Sequence, residues 1–440
     1  MSLYGGIGTY SQNKMYIILM GTEVKKMSKH ILFIEASTTG AGAKANDYAK
    51  SQGYTVSLAV RNPNQYSDDI LNTADNIIVC NTNNYEELIN NVLSLNQEKQ
   101  IDGITTTADF YVPQAALAAE TLKLPGISFQ AALNVRNKYK MRKKLSECYP
   151  HLNPAFQLVK TKHEALKIAN EWGYPIIAKP QDLNDSLHVK LIGSEKELLN
   201  YMEHSTSWMV NESGQPIAAG VLLEGYITGG EYSVETMQHK GGEIQLIGIT
   251  KNVLEGVERG HFAEVAASFP SDDEETKPLL DEVKKALQCL EIDCGVIHTE
   301  CRIENGNVKI IEINPRLIGD KVGSHVIELA YGISPLKYVV EIALGSNVEW
   351  RPNFKKAGAL YGLWVKERGV FGGIENPEEI LRRKGVAFLE ITGEIGSVYS
   401  PPTSNGDIVG HIITQANSPE EALKQAYDAA QVAKLIVNHE

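Results

Sequence analysis

The chain has 440 residues, and a typical domain size of about 150 residues predicts roughly three domains. Hydrophobic residues make up 43% and charged residues 22%, which supplies folded cores and excludes a wholly disordered chain. Forty-two basic residues against 54 acidic ones give a net charge of −12, which argues against nucleic acid or an anionic membrane as the partner.

Cysteine usage and hydropathy indicate the compartment. The five cysteines are odd in number and include no C-x-x-C pair, which argues for a reducing compartment and against a disulfide framework or structural zinc. The early apolar run at 15–20 is far shorter than the roughly 20 residues that span a bilayer. We therefore expect a cytoplasmic enzyme, in which residues 1–27 form a mobile extension and Met27 is a candidate natural start.

The N-terminal part alternates between predicted strands and helices. Short apolar or β-branched runs predict buried parallel strands at 31–36, 56–60, 76–80 and 102–105. Helical stretches lie between them, and the clearest is the Ala-rich segment 112–122, which Pro125-Gly126 closes. Residues 28–136 are therefore predicted to form a Rossmann-like parallel α/β domain.

The next predicted domain spans 137–345 and includes a small α+β lid at about 155–221. It begins with a basic helix at 137–145 and a strand at 176–179. From residue 221 the pattern changes to antiparallel strands, with Gly-Gly pairs at 229–230 and 241–242 that are typical of hairpins. An amphipathic helix at 274–290 and strands at 295–303 and 308–316 follow.

Residues 346–440 are predicted to form a C-terminal α+β domain, with sheet at 355–416. Its last helix has Ser418 as N-cap, Pro419 at the first position and Glu421 in a capping box. The predicted fold class is thus α/β (α+β): a parallel domain, a lid, a central antiparallel sheet and a C-terminal region.

A glycine-rich turn at 40–45, Gly-Ala-Gly-Ala-Lys-Ala, fits the loose dinucleotide fingerprint G-x-G-x-x-A. That fingerprint also needs an acidic residue about 20 positions later, and the second strand ends instead at Arg61-Asn62-Pro63. An Arg suits a 2′-phosphate, so an NADP-binding oxidoreductase is an alternative. A tight turn between strand and helix is the simpler interpretation.

The strongest chemical signal is the strand 308–316, Val-Lys-Ile-Ile-Glu-Ile-Asn-Pro-Arg. Alternation puts Ile311 and Ile313 on one face. The other face then carries three polar side chains: Glu312, Asn314 and Arg316. A carboxylate, an amide oxygen and a guanidinium suit Mg²⁺ and an anion, whereas an edge strand with solvated charges is the simpler alternative.

Glu300 lies across the turn from this strand. A three-residue turn at 305–307 would put Glu300 opposite Glu312, whereas a two-residue Asn-Gly turn would put Ile311 there. Two carboxylates about 5 Å apart repel by roughly 3 kcal/mol at an effective dielectric of 20, and a divalent cation would relieve that repulsion. His298, two residues earlier, is expected to be a satisfied, half-buried histidine.

Upstream residues are weaker signals one by one. Lys179 ends a strand before Pro180, so its ammonium should emerge at the strand end. Lys138 lies in a basic helix, where a solvated face is an equally ordinary interpretation. Glu224 and Glu231, taken alone, are typical of surface carboxylates.

Taken in their order along the chain, these residues resemble the ATP-grasp superfamily of carboxylate–amine ligases over about 29–345. The series is Lys138, Lys179, Ser186, Glu224…Glu231 and Glu300…Glu312-x-Asn314-x-Arg316. Within the superfamily the chain resembles the L-amino acid ligases, which make dipeptides. The shared features are the overall length, the segment 106–113 (Thr-Thr-Ala-Asp-Phe-Tyr-Val-Pro) and His261-Phe262-Ala263-Glu264 before a Pro.

The resemblance implies an ATP-grasp fold, ATP as the nucleotide, Mg²⁺ (or Mn²⁺) as the metal, and a role for each residue. The nucleotide would contact Lys138, Lys179, Ser186, Glu224, the backbone of Gly225, Tyr226 and Ile227, and Glu231. The metal would be held by Glu300, Glu312 and Asn314. Catalysis would use Arg316 and Ser186, and the substrates would contact Glu264, His261, Arg316 and Gly319. One departure is the loop 181–188, where the family's glycines are replaced by Asn and Asp residues.

The implied function is ATP-dependent formation of an amide bond between amino acids through an acyl phosphate, releasing ADP and phosphate. Alternatives are an ATP-grasp carboxylase that uses bicarbonate, a ligase of purine or natural-product metabolism, or a nucleotide-binding regulator without activity. Small-molecule acids and amines are the expected partners, with neither nucleic acid nor membrane, and a homodimer is expected.

Overall fold

The computed structural model describes residues 28–38 and 40–438, so the extension predicted at 1–27 lies outside the described residues. Its N-terminal part is a four-stranded parallel sheet in the order β3-β2-β1-β4. The strands are β1 (His30–Ile34), β2 (Thr55–Val60), β3 (Asn76–Val79) and β4 (Gly103–Thr105). The helices of this part are α1 (Ala41–Ser51), α2 (Asp68–Leu71), α3 (Tyr85–Glu98), α4 (Val112–Thr121) and α5 (Phe129–Arg136).

The predicted parallel strands are all present, and one differs in burial. Strand β1 is wholly buried at the centre of the sheet. Strand β3 lies at the edge, where Ile77 is 42% and Val79 62% exposed, so the expectation that it is buried was wrong. At the start of α1 a Cβ on Gly42 would lie 2.5 Å from the Ser37 carbonyl oxygen, so this glycine permits close packing of helix against strand.

A small four-stranded antiparallel sheet, called the lid below, has the strand order β5-β8-β6-β7. Its strands are β5 (Phe156–Val159), β6 (Ile176–Lys179), β7 (Lys190–Ile192) and β8 (Val221–Gly225). The helix α6 (Lys138–Cys148) precedes it, and the helices α7 (Lys162–Trp172) and α8 (Glu195–His204) cover it. Because β8 pairs with β5 and β6, the glycines at 229–230 connect two sheets, and their assignment to a hairpin was wrong.

The central sheet has eight strands in the order β13-β12-β9-β10-β11-β14-β18-β16. Its first strands are β9 (Gly230–Gln238), β10 (Gln245–Glu255), β11 (Ala263–Phe269), β12 (Gly295–Glu304) and β13 (Asn307–Asn314). The amphipathic helix α9 (Leu279–Cys289) packs on it through the predicted apolar face, whose members are all buried: Leu279, Val283, Ala286, Leu287 and Leu290.

The C-terminal region completes both this sheet and a smaller one. Helices α10 (Ile327–Tyr331) and α11 (Leu336–Ala343) lead to β14 (Ala357–Leu363), β15 (Gly369–Glu375), α12 (Pro377–Leu381), β16 (Val386–Ile391), β17 (Val398–Tyr399), β18 (Gly410–Ala416), α13 (Pro419–Ala430) and β19 (Lys434–Asn438). Strand β14 pairs with β11, so hydrogen bonds continue across the predicted domain boundary at 346. Strands β17, β15 and β19 form a separate three-stranded sheet.

The cysteines differ from the sequence-based expectation in one respect. A disulfide joins Cys148, at the end of α6, to Cys289, at the end of α9, so the argument against disulfides was wrong for this pair. A separation of 141 residues left no sequence pattern that could indicate the pairing. Cys80, Cys294 and Cys301 are free and buried. Across residues 28–38 and 40–438 we find no helix with the length and apolar character that crossing a membrane requires.

We predict that Leu287→Ala lowers the free energy of unfolding by about 2–5 kcal/mol, because it leaves a cavity in place of a fully buried side chain. Leu93→Ala, at a position that is 38% exposed, should cost much less and serves as the matched control. Urea titration followed by circular dichroism measures both, and equal losses would contradict the assignment of α9 to the core.

Candidate active site

A cleft with about 1120 Å³ of open volume lies between the lid and the central sheet. All but one of the site residues predicted from the sequence line it: Lys138, Lys179, Ser186, Glu224, Gly225, Tyr226, Ile227, Glu231, Glu264, Glu300, Glu312, Asn314, Arg316 and Gly319. The exception is His261, which is not among the lining residues. Its Nε2 lies 3.0 Å from the Lys190 ammonium on β7, so it contacts the lid rather than the cleft.

Glu300 and Glu312 are directly opposite on β12 and β13, although the turn is not the three-residue turn on which the sequence made this opposition depend. The turn has only two residues, Asn305 and Gly306, both at positive φ. A β-bulge then shifts the register between Glu300 and Cys301 and restores the opposition. The bulge also turns Ile311 into the cleft, so the expectation that it faces away with Ile313 was wrong.

The oxygen atoms at this point fit a hard divalent cation. Asn314 is 2% exposed, and its Oδ1 is buried without a hydrogen-bond partner among the described residues. The opposed carboxylates of Glu300 and Glu312 supply two further oxygen ligands. In the described part of the chain no group of three or more His, Cys, Asp or Glu is placed to hold a metal, so this candidate site depends on the amide.

Lys138 is buried rather than solvated, and it stands at the centre of a charge network. Its ammonium lies 2.8 Å from Glu312 and donates to the Leu183 carbonyl oxygen at 2.5 Å. It is the first residue of α6, after the cap Asn137, whose side chain accepts from the Lys140 N–H. Lys138 therefore lines the cleft, whereas its helix pattern favoured a solvated face.

Asp109 joins the N-terminal domain to the cleft and was not predicted. Its Oδ2 accepts from Arg136 at 2.9 Å, and its Oδ1 lies 3.2 Å from Nε of Arg316. Burial raises the pKa of Asp109, but the two guanidiniums outweigh that effect and hold the pKa below its usual value. The available signal was a single carboxylate among apolar residues in the segment 106–113.

Glu224 is buried between two cations, Arg142 on α6 and Lys179 at the end of β6. Nε of Arg142 and the Lys179 ammonium each lie 2.8 Å from the carboxylate. Burial raises the pKa of Glu224, but these cations outweigh it and hold the pKa at about 2. Burial also lowers the pKa of Lys179, and Glu224 opposes that shift. Arg142, four residues after Lys138 on the same helix face, was missed although its spacing was a usable signal.

The far wall of the cleft combines a paired carboxylate with aromatic rings. Nε of Arg302 lies 2.8 Å from Glu231, and its NH1 donates to the Ile227 carbonyl oxygen at 2.9 Å. The same guanidinium lies 5.4 Å from the Phe262 ring centroid and 6.0 Å from that of Tyr226. This gives a flat, partly apolar slot next to a carboxylate, suited to a planar ring.

His298 is buried more deeply than predicted, with 4% exposed. Its Nδ1 lies 2.6 Å from Glu235, and its Nε2 lies 3.2 Å from Glu300. Burial lowers the pKa of His298, but the two carboxylates outweigh it and raise the pKa to about 10. Glu235 also accepts from the Ile318 N–H at 3.2 Å, so this group ties β12 to the segment that follows β13.

Three carboxylates at the other end of the cleft have no cationic partner within 4 Å among the residues described: Asp185, Glu264 and Asp320. Burial raises the pKa of Asp185 to about 7, with Asp320 adding to the shift and Arg316 opposing it. Burial, with Glu300 and Glu231 nearby, raises the pKa of Glu264 well above its usual value. These three carboxylates therefore lack a close positive charge within the described residues, and a cationic group of a ligand would provide one.

The loop that departs from the family pattern closes on the cleft with strained backbone. Asp185 and Ser186 have φ of 54° and 55°, and His188 has 62°, all in the left-handed region. The predicted Ser186 lines the cleft between these residues. Asp182 is not among the residues that line the cleft, and its Oδ2 accepts from the Ala218 N–H at 2.9 Å.

Comparison with known proteins agrees with this geometry. Residues 172–325 match the family model of the ATP-grasp domain, 47–126 that of the ATP-grasp N-terminal domain, and 363–437 that of L-amino acid ligase C-terminal domain 2. A crystal structure of L-amino acid ligase from Bacillus licheniformis superposes with a TM-score of 0.77 at 24% identity, covering 94% of this chain and 99% of that one. N5-carboxyaminoimidazole synthetase from Staphylococcus aureus, complexed with ADP, gives 0.69 at 19% identity, covering 91% and 97%.

The relatives found by sequence are longer than the aligned region of this chain. An uncharacterized protein, y4rH, of Sinorhizobium fredii is 24% identical over 405 residues, which cover 91% of this chain and 81% of the relative. A carbamoyl phosphate synthase large chain from Caldanaerobacter subterraneus is 24% identical over 70% of this chain, which spans only 26% of that relative.

Separate regions of the chain match the ATP-grasp domain and its N-terminal domain, and the fold agrees with them, so the predicted fold class is confirmed. Within that superfamily the chain resembles the L-amino acid ligases, in its C-terminal region as well as in its overall fold, as its sequence indicated.

We predict that the Glu224 pairing stabilises the fold by about 3 kcal/mol, from the pKa difference between 4.5 in the unfolded chain and about 2 in the fold. Because the folded pKa is depressed, this contribution is present above pH 4.5 and is lost as the pH falls towards 2. The free energy of unfolding, measured by urea titration across that range, should therefore converge between wild type and Glu224→Gln at low pH. A constant difference would contradict the pairing.

Proposed function

We propose that the chain is an ATP-dependent ligase that joins the carboxylate of one amino acid to the amine of another, giving a dipeptide, ADP and phosphate. The observation that carries this proposal is the composition of one cleft. It holds a buried guanidinium, Arg316, for a carboxylate, and it holds unpaired carboxylates, Glu264 among them, for an ammonium group. A zwitterionic substrate complements both.

In the proposed reaction, a carboxylate oxygen of the first substrate attacks the γ-phosphorus of ATP, and the bond to the bridging oxygen breaks. An acyl phosphate and ADP result. The neutral amine of the second substrate then attacks the acyl carbon, phosphate leaves, and the amine loses a proton. Such transfers depend on positioning and electrostatic stabilisation, so no nucleophilic side chain is needed.

The roles of the residues follow from where they lie in the cleft. Lys138, Lys179 and Ser186 would hold the phosphates, and Lys138 would exchange its bond with the Leu183 carbonyl oxygen for one with phosphate. The slot beside Glu231 would hold the base and ribose, with Glu224 and the backbone of 225–227 at its edge. Arg316 would hold the substrate carboxylate and then the charge that develops on the acyl phosphate.

The metal would be held by Glu300, Glu312 and the unpartnered Oδ1 of Asn314, and Mg²⁺ or Mn²⁺ suits these ligands. When bound, the ion would offset the negative charge of the phosphates. The buried pair of Glu235 and His298 would hold Glu300 in place from behind.

A carboxylase that uses bicarbonate is the second candidate, since structural neighbours include N5-carboxyaminoimidazole synthetases. The acidic end of the cleft argues against it. Bicarbonate is an anion, and the ionised forms of Asp185, Glu264 and Asp320, which have no cation within 4 Å among the described residues, would repel it. An amine substrate would instead be attracted by the same three groups.

The test is phosphate release from ATP and Mg²⁺ across pairs of the twenty amino acids, with product identified by mass spectrometry and Glu312→Ala as the inactive control. Phosphate in step with an amide would establish the ligase and name its substrates. Phosphate release that depends on bicarbonate would favour the carboxylase. ATP binding without release for any pair would indicate a regulator, and NADP(H) binding in place of ATP an oxidoreductase.

We predict that Arg316→Ala lowers kcat by about 10²–10³, because one preorganised donor to the developing charge is lost. The affinity for ATP, measured by calorimetry, should change little. Asp109 keeps Arg136 as a partner, so the buried carboxylate stays paired and the fold should persist. Arg351→Ala removes a guanidinium that is 79% exposed and is the matched control. Turnover near that of wild type would refute the assignment.

We predict that Asn314→Ala and Glu312→Gln each raise the Mg²⁺ concentration for half-maximal nucleotide binding at least tenfold, because each removes one oxygen ligand. Calorimetric titration of ATP at a series of Mg²⁺ concentrations measures this independently of turnover. Asn307→Ala, at an exposed position of the same hairpin, is the control. Unchanged Mg²⁺ dependence in both variants would exclude the proposed metal site.

A further inference from the structure

Asn405 lies in the C-terminal region and yet lines the cleft. Its backbone N–H donates to the Asp185 carbonyl oxygen in the lid loop, at 3.2 Å. Its side-chain Nδ2 donates to Asp320 at 3.3 Å, and its Oδ1 accepts from the Glu264 N–H at 2.9 Å. One residue thus contacts all three of the carboxylate-bearing positions that lack a cation.

The turn that carries Asn405 is held rigidly by its own hydrogen bonds. The Asp407 carboxylate accepts from the Thr403 N–H at 2.8 Å, the Thr403 hydroxyl at 2.9 Å and the Ser404 N–H at 3.1 Å. These bonds do not involve the lid. The turn therefore presents Asn405 as a fixed point, while the lid loop is the part that must adapt to it.

The lid loop is anchored through a series of its carbonyl oxygens. Lys138 N–H donates to Gln181 at 2.7 Å, Arg136 to Asp182 at 2.9 Å, and the Lys138 ammonium to Leu183. These donors lie before the lid in the chain, and the Lys138 ammonium is the one that phosphate would claim. Asn405 holds the middle of the loop at Asp185, where φ at Asp185 and Ser186 is positive.

We propose that Asn405 is a positioning residue that latches the lid loop 182–188 over the amine-binding end of the cleft. Its backbone N–H holds the loop, and its side chain holds the Asp320 carboxylate and the backbone of Glu264 at the same end of the cleft. The latch remains when phosphate takes the Lys138 ammonium, so the substrate end stays closed while the nucleotide end exchanges partners. The catalytic part of this inference rests on the proposed ligase function.

The structure offers two variants that separate the backbone bond from the side-chain bonds. Asn405→Ala keeps the N–H and removes both side-chain bonds. Asn405→Pro also removes the N–H, and proline suits the first position of the short 3₁₀ helix 405–407. The preceding Ser404, at φ −151° and ψ 172°, already has the extended backbone that precedes proline. Thr403→Val removes a hydrogen bond from the same turn without touching the lid and is the control.

Hydrogen exchange of the free protein, without nucleotide or substrate, tests the latch itself. The amides to follow are those of Leu187 and Val189, which donate to Asn184 and Ser186 within the loop. We expect exchange at least fivefold faster than wild type in Asn405→Pro, a smaller increase in Asn405→Ala, and none in Thr403→Val. Unchanged exchange in Asn405→Pro would overturn the latch.

Steady-state kinetics on the full chain test its role in the reaction. For Asn405→Ala we expect the KM for the amine substrate to rise about tenfold and the KM for ATP to stay within twofold, with more phosphate released per amide formed. Equal rises in both KM values would overturn the positioning role, because they indicate a generally loosened lid. Faster exchange in Asn405→Pro, together with a wild-type protein that forms no amide, would support the latch and overturn the ligase function, so the two failures are distinguishable.

Discussion

The arrangement of this molecule depends on one constraint: charges that leave water must be paired. Four carboxylates are buried, and each pairs with a cation from an element other than its own: Glu224, Glu312, Asp109 and Glu231. The pair of Asp109 and Arg316 crosses from the N-terminal domain to the end of β13. The pair of Glu224 and Lys179 ties the strands of the lid to each other, and Arg142 ties both to α6. The ion pairs therefore hold the lid, the first domain and the central sheet in one register.

Where the pairing stops is as informative as where it holds. At the proposed nucleotide end of the cleft, Glu224, Glu231 and Glu312 each have a cationic partner before any ligand binds. At the other end, Asp185, Glu264 and Asp320 have no cation within 4 Å among the described residues, and Asn405 links these three positions through its amide and its backbone. A cationic ligand would supply the missing attraction to these carboxylates, so binding there should depend strongly on the charge of the ligand.

Much of this was accessible from the sequence, and the exceptions have physical causes. Alternation and turn signals located the strands of the first domain, and the hairpin 295–316 indicated the opposed Glu300 and Glu312. The sequence left the turn length open, and with the two-residue turn the opposition depends on a β-bulge, a tertiary adjustment that no local spacing reports. His261 and β8 were misplaced for a similar reason, since pairing with Lys190 and with the lid sheet is decided between distant segments. Asp109 and Asn405 were missed because only the fold brings them to the cleft.

Strand β14 extends the central sheet from β11, and the second residue of β11 is Glu264. The C-terminal region is consequently part of the central sheet and not a separately folded addition to it. A chain that stopped before residue 357 would leave β11 with an open row of hydrogen-bonding groups beside the substrate end of the cleft. Exchange of this region between related proteins, by recombination or by design, would replace part of the sheet and part of the pocket together. Substrate preference and the C-terminal region should therefore be inherited as a unit.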